Sequence, residues 1–226
     1  MFSSKAEPLP LAGLSLVIVK IMSEHYFSAN PESELKERTI KVQLRGQNYQ
    51  VHTANGVFSP DRLDVGTQVL LKKVPVEDLP ADALAVDVGC GWGAVTLALA
   101  AQYPHALVWG VDVNERALTL AQKNCTDLSN VSIKEADAAL ATLRTSGQQI
   151  DLIWSNPPIR IGKTALHELL TSWLALLSPT GVAYLVVQRN LGSDSLAKWL
   201  TENGFPTQKL ASQKGYRILA VHRKAR

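Results

Sequence analysis

Apolar and polar residues alternate along the segment TIKVQLRGQNYQVHT, which runs from Thr39 to Thr53. Alternation with a period of two is typical of a β-strand with one buried face, and the central RGQN interrupts it as a turn would. The pattern therefore predicts a β-hairpin. A loop at residues 54–60 follows, and the apolar spacing of LDVGTQVLLKKV (residues 63–74) predicts a helix.

From Ala83 onward, short apolar strands alternate with helical segments. The predicted strands are LAVDVG, LVWGVDV, VSIKEAD, DLIWSN, VAYLVVQ and GYRILAVHRK. The predicted helices are AVTLALAAQY, NERALTLAQKN with Asn114 as its N-cap, TALHELLTSWLALL and DSLAKWLTENG. Alternating strands and helices of this length form a parallel sheet that is covered on both faces. The predicted fold class is therefore α/β and doubly wound.

We divide the chain into an N-terminal extension (1–22), a hairpin and helix leading into the α/β part (23–80), and the α/β core (81–226). The extension contains LAGLSLVIVKI, an apolar stretch that is interrupted by Lys20 and is too short to span a bilayer. A signal peptide is the less favoured alternative, because SEHYF follows instead of a small-residue cleavage site. Met22 is an alternative start of the protein.

Composition and charge are ordinary for a soluble globular protein, with 46% hydrophobic and 19% charged residues. The formal net charge of +3 does not by itself indicate a nucleic-acid partner, and the charges of the C-terminal KGYRILAVHRKAR alone would favour a solvated tail. Cys90 and Cys125 lie far apart, without the spacing of a zinc site or a disulfide framework. They favour a reducing, cytoplasmic setting and no bound metal.

A glycine-rich turn, DVGCGWGA, follows the first strand of the α/β core. Glycines let a ligand approach the main chain, and the next helix offers its N-terminal amides. The match to a dinucleotide fingerprint is weak, and Asp87 argues against it because a carboxylate repels a pyrophosphate. S-adenosylmethionine carries an ammonium and no phosphate. We therefore predict that Asp87, Gly89, Cys90 and Gly91 bind S-adenosylmethionine.

Two more acids lie at the ends of the next two strands. Asp112, followed by Val113, is placed to accept the ribose hydroxyl protons of such a cofactor. Asp137, followed by Ala138, is placed to meet the adenine amine. Helix capping is the alternative for each acid taken singly. Three acids at successive strand ends favour the cofactor.

The fourth strand ends at Asn156-Pro157-Pro158. Prolines lack the amide N–H and continue neither a sheet ladder nor a helix, so a simple turn is one interpretation. The functional interpretation is that the Asn156 side-chain oxygen and the Pro157 carbonyl accept the two N–H groups of a planar amine beside the cofactor. Pro158 would stiffen this loop so that the acceptors are preorganised.

DVGCGWG, the acid at position 112 and NPP at 156–158 together resemble class I S-adenosylmethionine-dependent methyltransferases that act on planar amines. VFSPDRLDVGTQVLL, SNPPIRIGK and KGYRILAVHRK are similar to RsmC-type ribosomal RNA guanine-N2 methyltransferases of the small subunit. The resemblance spans residues 24–224. Larger members carry a second N-terminal domain, and this chain resembles the single-domain branch.

The resemblance implies a seven-stranded, Rossmann-like, mostly parallel sheet, with S-adenosylmethionine contacted by the glycine turn, Asp87, Asp112 and Asn156. It implies action on ribosomal RNA or the small ribosomal subunit. We further expect a cytoplasmic monomer with no metal and no membrane partner. Many members carry an aromatic residue after NPP that stacks on the target base, where this chain has Ile159. Such stacking is worth ~1–3 kcal/mol. Phe58 is the candidate to supply it, with a core or lid role as the alternative.

Arg160 and Lys163 follow the NPP motif and are candidates to contact RNA phosphates, with ordinary surface charges as the alternative. Protein glutamine methylation is a rival function that shares NPP, but its family usually has Tyr after the motif and a helical N-terminal domain. A non-catalytic RNA-binding relative is disfavoured by the retained Asp87, Asp112 and Asn156. A nicotinamide-dependent dehydrogenase is disfavoured by Asp87 and by NPP.

Overall fold

A computed structural model describes residues 34–224, so the predictions on residues 1–22 lie outside the described part. The predicted hairpin is confirmed: β1 (Glu37–Leu44) and β2 (Gln47–Ala54) pair antiparallel as a separate two-stranded sheet. Arg45 and Gly46 connect them with φ angles of 44° and 89°. Two central residues with positive φ are what a tight type I′ hairpin turn requires.

The larger sheet has seven strands in the order β5-β4-β3-β6-β7-β9-β8. Strands β3 to β7 run parallel to one another, whereas β9 runs antiparallel to both β7 and β8. The strands are β3 (Leu84–Val88), β4 (Leu107–Asp112), β5 (Val131–Glu135), β6 (Ile150–Ser155), β7 (Leu177–Gln188), β8 (Thr207–Gln213) and β9 (Tyr216–His222). This confirms the predicted seven-stranded, mostly parallel sheet.

Among residues 34–224, six α-helices cover the two faces of this sheet: α1 (Val65–Lys73), α2 (Ala94–Gln102), α3 (Glu115–Asn124), α4 (Ala136–Ser146), α5 (Lys163–Leu174) and α6 (Ser193–Glu202). Residues of α1, α2, α3 and the hairpin share one buried cluster with one face of the sheet, and residues of α4, α5 and α6 share another with the opposite face. Within residues 34–224 no helix has the length and apolarity needed to cross a membrane.

The charged C-terminal segment contains an inner strand of the sheet. Ile218 and Leu219 of β9 are fully buried, because β9 lies between β7 and β8. Burial of its apolar residues therefore outweighs the basic residues around them, and the solvated tail that charge alone would favour is not formed there. Strand β8 was not among the strands that the apolar pattern predicted. It is an edge strand with no buried residue, held by its pairing with β9.

The chain order of the strands reverses around β3, which has β4 on one side and β6 on the other. The carboxyl ends of these three parallel strands meet at one edge of the sheet. Ligands of open α/β sheets bind in the crevice at such a switch point. This edge carries the glycine turn, Asp112 and the NPP motif, which brings together motifs that are distant along the chain.

Candidate active site

The glycine turn bends sharply away from the end of β3. Gly89, Gly91 and Gly93 have φ angles of 79°, 54° and 96°, values that other residues rarely adopt. The amides of Gly89 and Cys90 both donate to the Val111 carbonyl at 2.9 Å, which fixes the turn against β4. A Cβ atom built on Gly89 or Gly91 would meet no atom within 4 Å. The turn is therefore rigid and borders open space.

Asp87 lies below this turn and is only 1% exposed. The pKa of its carboxyl is raised to about 7, chiefly by burial; hydrogen bonding with Thr96 opposes the rise, and the nearby Asp112 adds to it. The Thr96 hydroxyl donates at 2.7 Å, so the carboxylate has a neutral partner there rather than a cation. A ligand ammonium would compensate the cost of burying this charge.

Asp112 ties the glycine turn to the end of β4. Its Oδ2 accepts from the Gly91 amide at 2.9 Å and its Oδ1 from the Asn114 amide at 3.0 Å. Asn114 is the N-cap of α3, as predicted, since its side chain accepts from the Ala117 amide. Burial raises the pKa of Asp112, and its backbone hydrogen bonds oppose that rise. Val113 beside it is 38% exposed.

Asp137 and Ala138 lie in the first turn of α4, and both are exposed. Their amides donate to the Glu135 carboxylate at 3.0 and 2.8 Å, so Glu135 caps this helix. Asp137 therefore does not serve as the cap, and its carboxylate stands at the carboxyl end of β5. Its contact with adenine stays a prediction.

The NPP loop begins where β6 is locked to β3 by the Ser155 hydroxyl, which donates to the Val88 carbonyl at 2.6 Å. Pro158 has φ −74° and ψ 77°, the geometry of an inverse γ-turn. The Ile159 amide accordingly donates to the Pro157 carbonyl at 2.8 Å. This corrects the expectation that the prolines leave that carbonyl free. One of its two lone pairs remains to accept a second hydrogen bond.

The Asn156 carboxamide is held in one orientation by the start of α1. Its Nδ2 donates to Asp64 Oδ2 at 2.8 Å and to Thr67 Oγ1 at 3.1 Å. Asp64 is also the N-cap of α1, and its Oδ2 accepts from the Thr67 amide at 2.9 Å. Both N–H groups of the carboxamide are thus engaged. Its oxygen is left to accept a hydrogen bond from a substrate.

The glycine turn, Asp87 and Asn156 border one cleft. Its walls are formed by the glycine turn, the start of α1, the NPP loop and the loop before α1, and its lining residues are Phe58, Ser59, Leu63, Asp64, Thr67, Asp87, Gly89, Cys90, Gly91, Trp92, Ala94, Val95 and Asn156. Phe58 is 46% exposed at the rim. The Trp92 indole N–H donates to the Ser59 carbonyl at 3.4 Å and fastens this loop.

The remaining predicted residues lie outside that lining. Among them are Asp112, Val113, Asp137, Ala138, Pro157 and Pro158. Ile159 is half-buried against the apolar cluster on the α4–α6 face. Arg160 is exposed on the loop that leads into α5, and Lys163 is exposed as the first residue of α5. Asp64 and Thr67 were not predicted as site residues. Both lie in the LDVGT segment, which resembles the family. No local pattern in that segment indicates a contact with Asn156, a residue about ninety positions away.

The sequence model of the methyltransferase small domain family matches residues 48–220. The chain is 32% identical to the uncharacterised protein YbxB of Bacillus subtilis (strain 168), covering 88% of this chain and 98% of that protein. It is 30% identical to ribosomal RNA small subunit methyltransferase C of Shewanella loihica, covering 91% of this chain and 58% of the relative. The chain thus spans little more than half the length of the Shewanella methyltransferase.

A solved structure of the 16S rRNA N2 G1207 methyltransferase (RsmC) of Thermus thermophilus, in complex with AdoMet and guanosine, superposes with a TM-score of 0.68. It is 26% identical, with 87% of this chain and 53% of that chain covered. The seven-stranded sheet and the cleft define a class I methyltransferase. The chain belongs to the methyltransferase small domain family, and it is by that membership an S-adenosylmethionine-dependent methyltransferase.

The residues present fit this cofactor. The buried Asp87 carboxylate suits the ammonium of its amino-acid end, and Gly89 and Gly91 leave room for the backbone to approach it. In residues 34–224 no group of three or more His, Cys, Asp or Glu side chains is arranged to hold a metal ion.

Proposed function

We propose that the protein transfers a methyl group from S-adenosylmethionine to the exocyclic N2 amine of guanine in small-subunit ribosomal RNA. The observation that carries this proposal is the orientation of Asn156, whose amide nitrogen is engaged by Asp64 and Thr67 while its oxygen stays available. A planar amine presents two N–H donors, and the Pro157 carbonyl supplies the second acceptor. The names of the Shewanella and Thermus relatives support guanine in ribosomal RNA as the substrate.

The chemistry needs alignment more than acid or base. The bound cofactor supplies a methyl group on a positively charged sulfur, and the C–S bond electrons leave with the sulfur as the N–C bond forms. The protein holds the amine with its lone pair in line, and orientation of this kind can account for much of a rate enhancement. The methylated nitrogen is briefly cationic, and in that state it is acidic enough to release one proton to water.

We assign the cofactor to Asp87, Gly89, Cys90, Gly91, Asp112, Val113, Asp137, Ala138 and Asn156, and the RNA to Phe58, Arg160 and Lys163. Arg160 and Lys163 are exposed beside the loop that presents Asn156, a position from which they can reach phosphates flanking the target base. Pro158 contributes by stiffening the loop through the γ-turn.

The test uses Asn156→Ala. We expect methyl transfer from labelled cofactor to ribosomal RNA to be abolished, because the amine loses an acceptor. Cofactor binding measured by calorimetry should persist, because the other eight residues assigned to the cofactor are unchanged. The nucleosides of RNA from the reaction should contain N2-methylguanosine. A variant that retains full activity on RNA removes the proposed role of Asn156. A wild-type enzyme that methylates protein glutamine and no RNA removes the proposed substrate.

A further inference from the structure

Ile159 does not occupy the place of a base-stacking side chain. It packs against the apolar cluster on the α4–α6 face of the sheet. Leu166 and Leu170 of α5 belong to that cluster, so Ile159 packs the NPP loop against the side of the sheet that α5 covers. An aliphatic side chain also lacks the π-face on which a base can stack. The target base therefore needs an aromatic partner other than Ile159. Phe58 at the rim of the cleft is one candidate, and Tyr216 is a second that the sequence did not suggest.

Tyr216 is an aromatic residue on the opposite face of the sheet from Ile159. It is the first residue of β9 and pairs with Gln188 of β7. Ser155, the last residue of β6, pairs with Leu185, so Tyr216 stands three residues further along β7, or roughly 10 Å beyond the end of β6. Its side chain packs against the cluster on the α1–α3 face. Tyr216 and Ile159 thus pack on opposite faces of the sheet.

The Tyr216 ring is seated on the start of α1. A Cβ atom built on Gly66 would lie 2.9 Å from Cε1 and 3.2 Å from Cδ1 of Tyr216, and 2.9 Å from Asp64 Oδ2. Glycine at this position therefore permits the close approach of the ring edge to the turn that carries Asp64. Because Asp64 also holds Asn156, the ring and the carboxamide are positioned by the same turn.

The Tyr216 ring is partly exposed and lies near two charged side chains of the site, Asp64 and Arg160. Burial and the neighbouring Asp64 raise the pKa of the Tyr216 phenol, and the nearby Arg160 lowers it, so the phenol lies near both side chains. The ring is only half-buried. The edge that rests on Gly66 is covered, and part of the ring surface remains accessible.

We propose that Tyr216 provides the aromatic face on which the target base stacks while Asn156 holds its amine. This inference rests on the proposed function for the identity of the base, but the aromatic contact itself can be measured without methyl transfer. Stacking on Tyr216 from the α1–α3 face would leave Arg160 free to pair with a flanking phosphate.

The direct test uses 2-aminopurine riboside, whose exocyclic amine sits where that of guanine does and whose fluorescence is quenched by stacking. The experiment is run with S-adenosylhomocysteine present, so no methyl group is transferred. We expect wild-type protein and Tyr216→Phe to quench the probe, and Tyr216→Leu to bind it roughly 5- to 150-fold more weakly, the range that base–aromatic stacking implies. Tyr49→Leu is the matched control, because Tyr49 packs half-buried on the same cluster from β2 of the hairpin, whereas Tyr216 packs against the start of α1.

A second readout is the KM for RNA in methyl transfer, which should rise in Tyr216→Leu and stay near wild type in Tyr216→Phe and Tyr49→Leu. Melting curves establish that each variant folds, and Tyr216→Met replaces the leucine variant if the latter does not. Unquenched probe with wild-type protein, or equal binding by Tyr216→Leu and wild type, would overturn the proposal. Wild-type quenching without N2-methylguanosine in RNA would overturn the proposed function and leave the role of Tyr216 standing.

Discussion

Asp64→Ala should slow methyl transfer more than it weakens the fold. In the native chain one carboxylate oxygen accepts from both the Thr67 amide and Asn156 Nδ2. Only Asp64 selects the orientation of the carboxamide, because the Thr67 hydroxyl can either accept from its nitrogen or donate to its oxygen. Without Asp64 the carboxamide loses both its orientation and its fixed rotamer.

The magnitude follows from these two losses. Equal population of two carboxamide orientations halves the competent fraction, and fixing a released side chain costs about 0.5–1.5 kcal/mol, or roughly 2- to 13-fold. We therefore expect kcat to fall about 5- to 25-fold in Asp64→Ala. Loss of the helix cap should cost ~1 kcal/mol of stability, which lowers Tm by about 2–4 °C in a domain of this size.

The assay is single-turnover transfer of labelled methyl to ribosomal RNA, at a temperature well below each Tm. Asp64→Asn keeps an acceptor oxygen but makes neutral hydrogen bonds, so its rate should lie between wild type and Asp64→Ala. Asp151→Ala is the matched control, because Asp151 accepts from the Leu84 amide at the opposite end of the strands. Equal rates in Asp64→Ala and Asp151→Ala, with Asn156→Ala inactive, would refute the orientation argument.

Two further predictions concern the carboxylates of the cleft. The pKa of Asp87 is about 7 in the folded chain against 3.8 for the free side chain, so the folded state binds the extra proton between these values and this group's contribution to stability falls as pH rises through that window. We expect the Tm of wild type minus that of Asp87→Asn to decrease from about pH 5 to 8, and cofactor affinity of wild type to weaken below about pH 7. Asn156→Asp should place two carboxylates in contact and abolish transfer, and adding Asp64→Asn should restore a donor–acceptor pair and raise the rate roughly 10-fold or more above Asn156→Asp.

Each of these has a clear contrary outcome. If the Tm difference between wild type and Asp87→Asn is constant with pH, the carboxyl titrates at an ordinary value. If the two substitutions at positions 64 and 156 combine additively, the side chains do not interact in the active enzyme.

The fold class follows from local patterns that the sequence displays directly. Strands such as LAVDVG and DLIWSN are continuous apolar runs because parallel strands are buried on both faces. Strand β8 has no such pattern, since an edge strand with exposed side chains is held by backbone hydrogen bonds that any residue can make. Its presence was therefore implied only by resemblance to the family.

The candidate site divides in the same way. Asp87, the glycines and Asn156 were predictable, because each lies at the end of an apolar strand and parallel strands bring those ends to one edge. Asp64 and Tyr216 were not predictable as site residues, although both lie in segments that resemble the family. Asp64 precedes a helix that could have packed anywhere, and Tyr216 opens a strand rich in charge.

What the sequence by itself determined is the order of strands and helices and the chemistry at the strand ends, since burial periodicity and backbone restrictions act over a few residues. Only the tertiary structure decided which way the Asn156 carboxamide points and which aromatic ring stands beside it. Those contacts join residues 92 positions apart in one case. They depend on how α1 and β9 pack against the sheet, which no local pattern records.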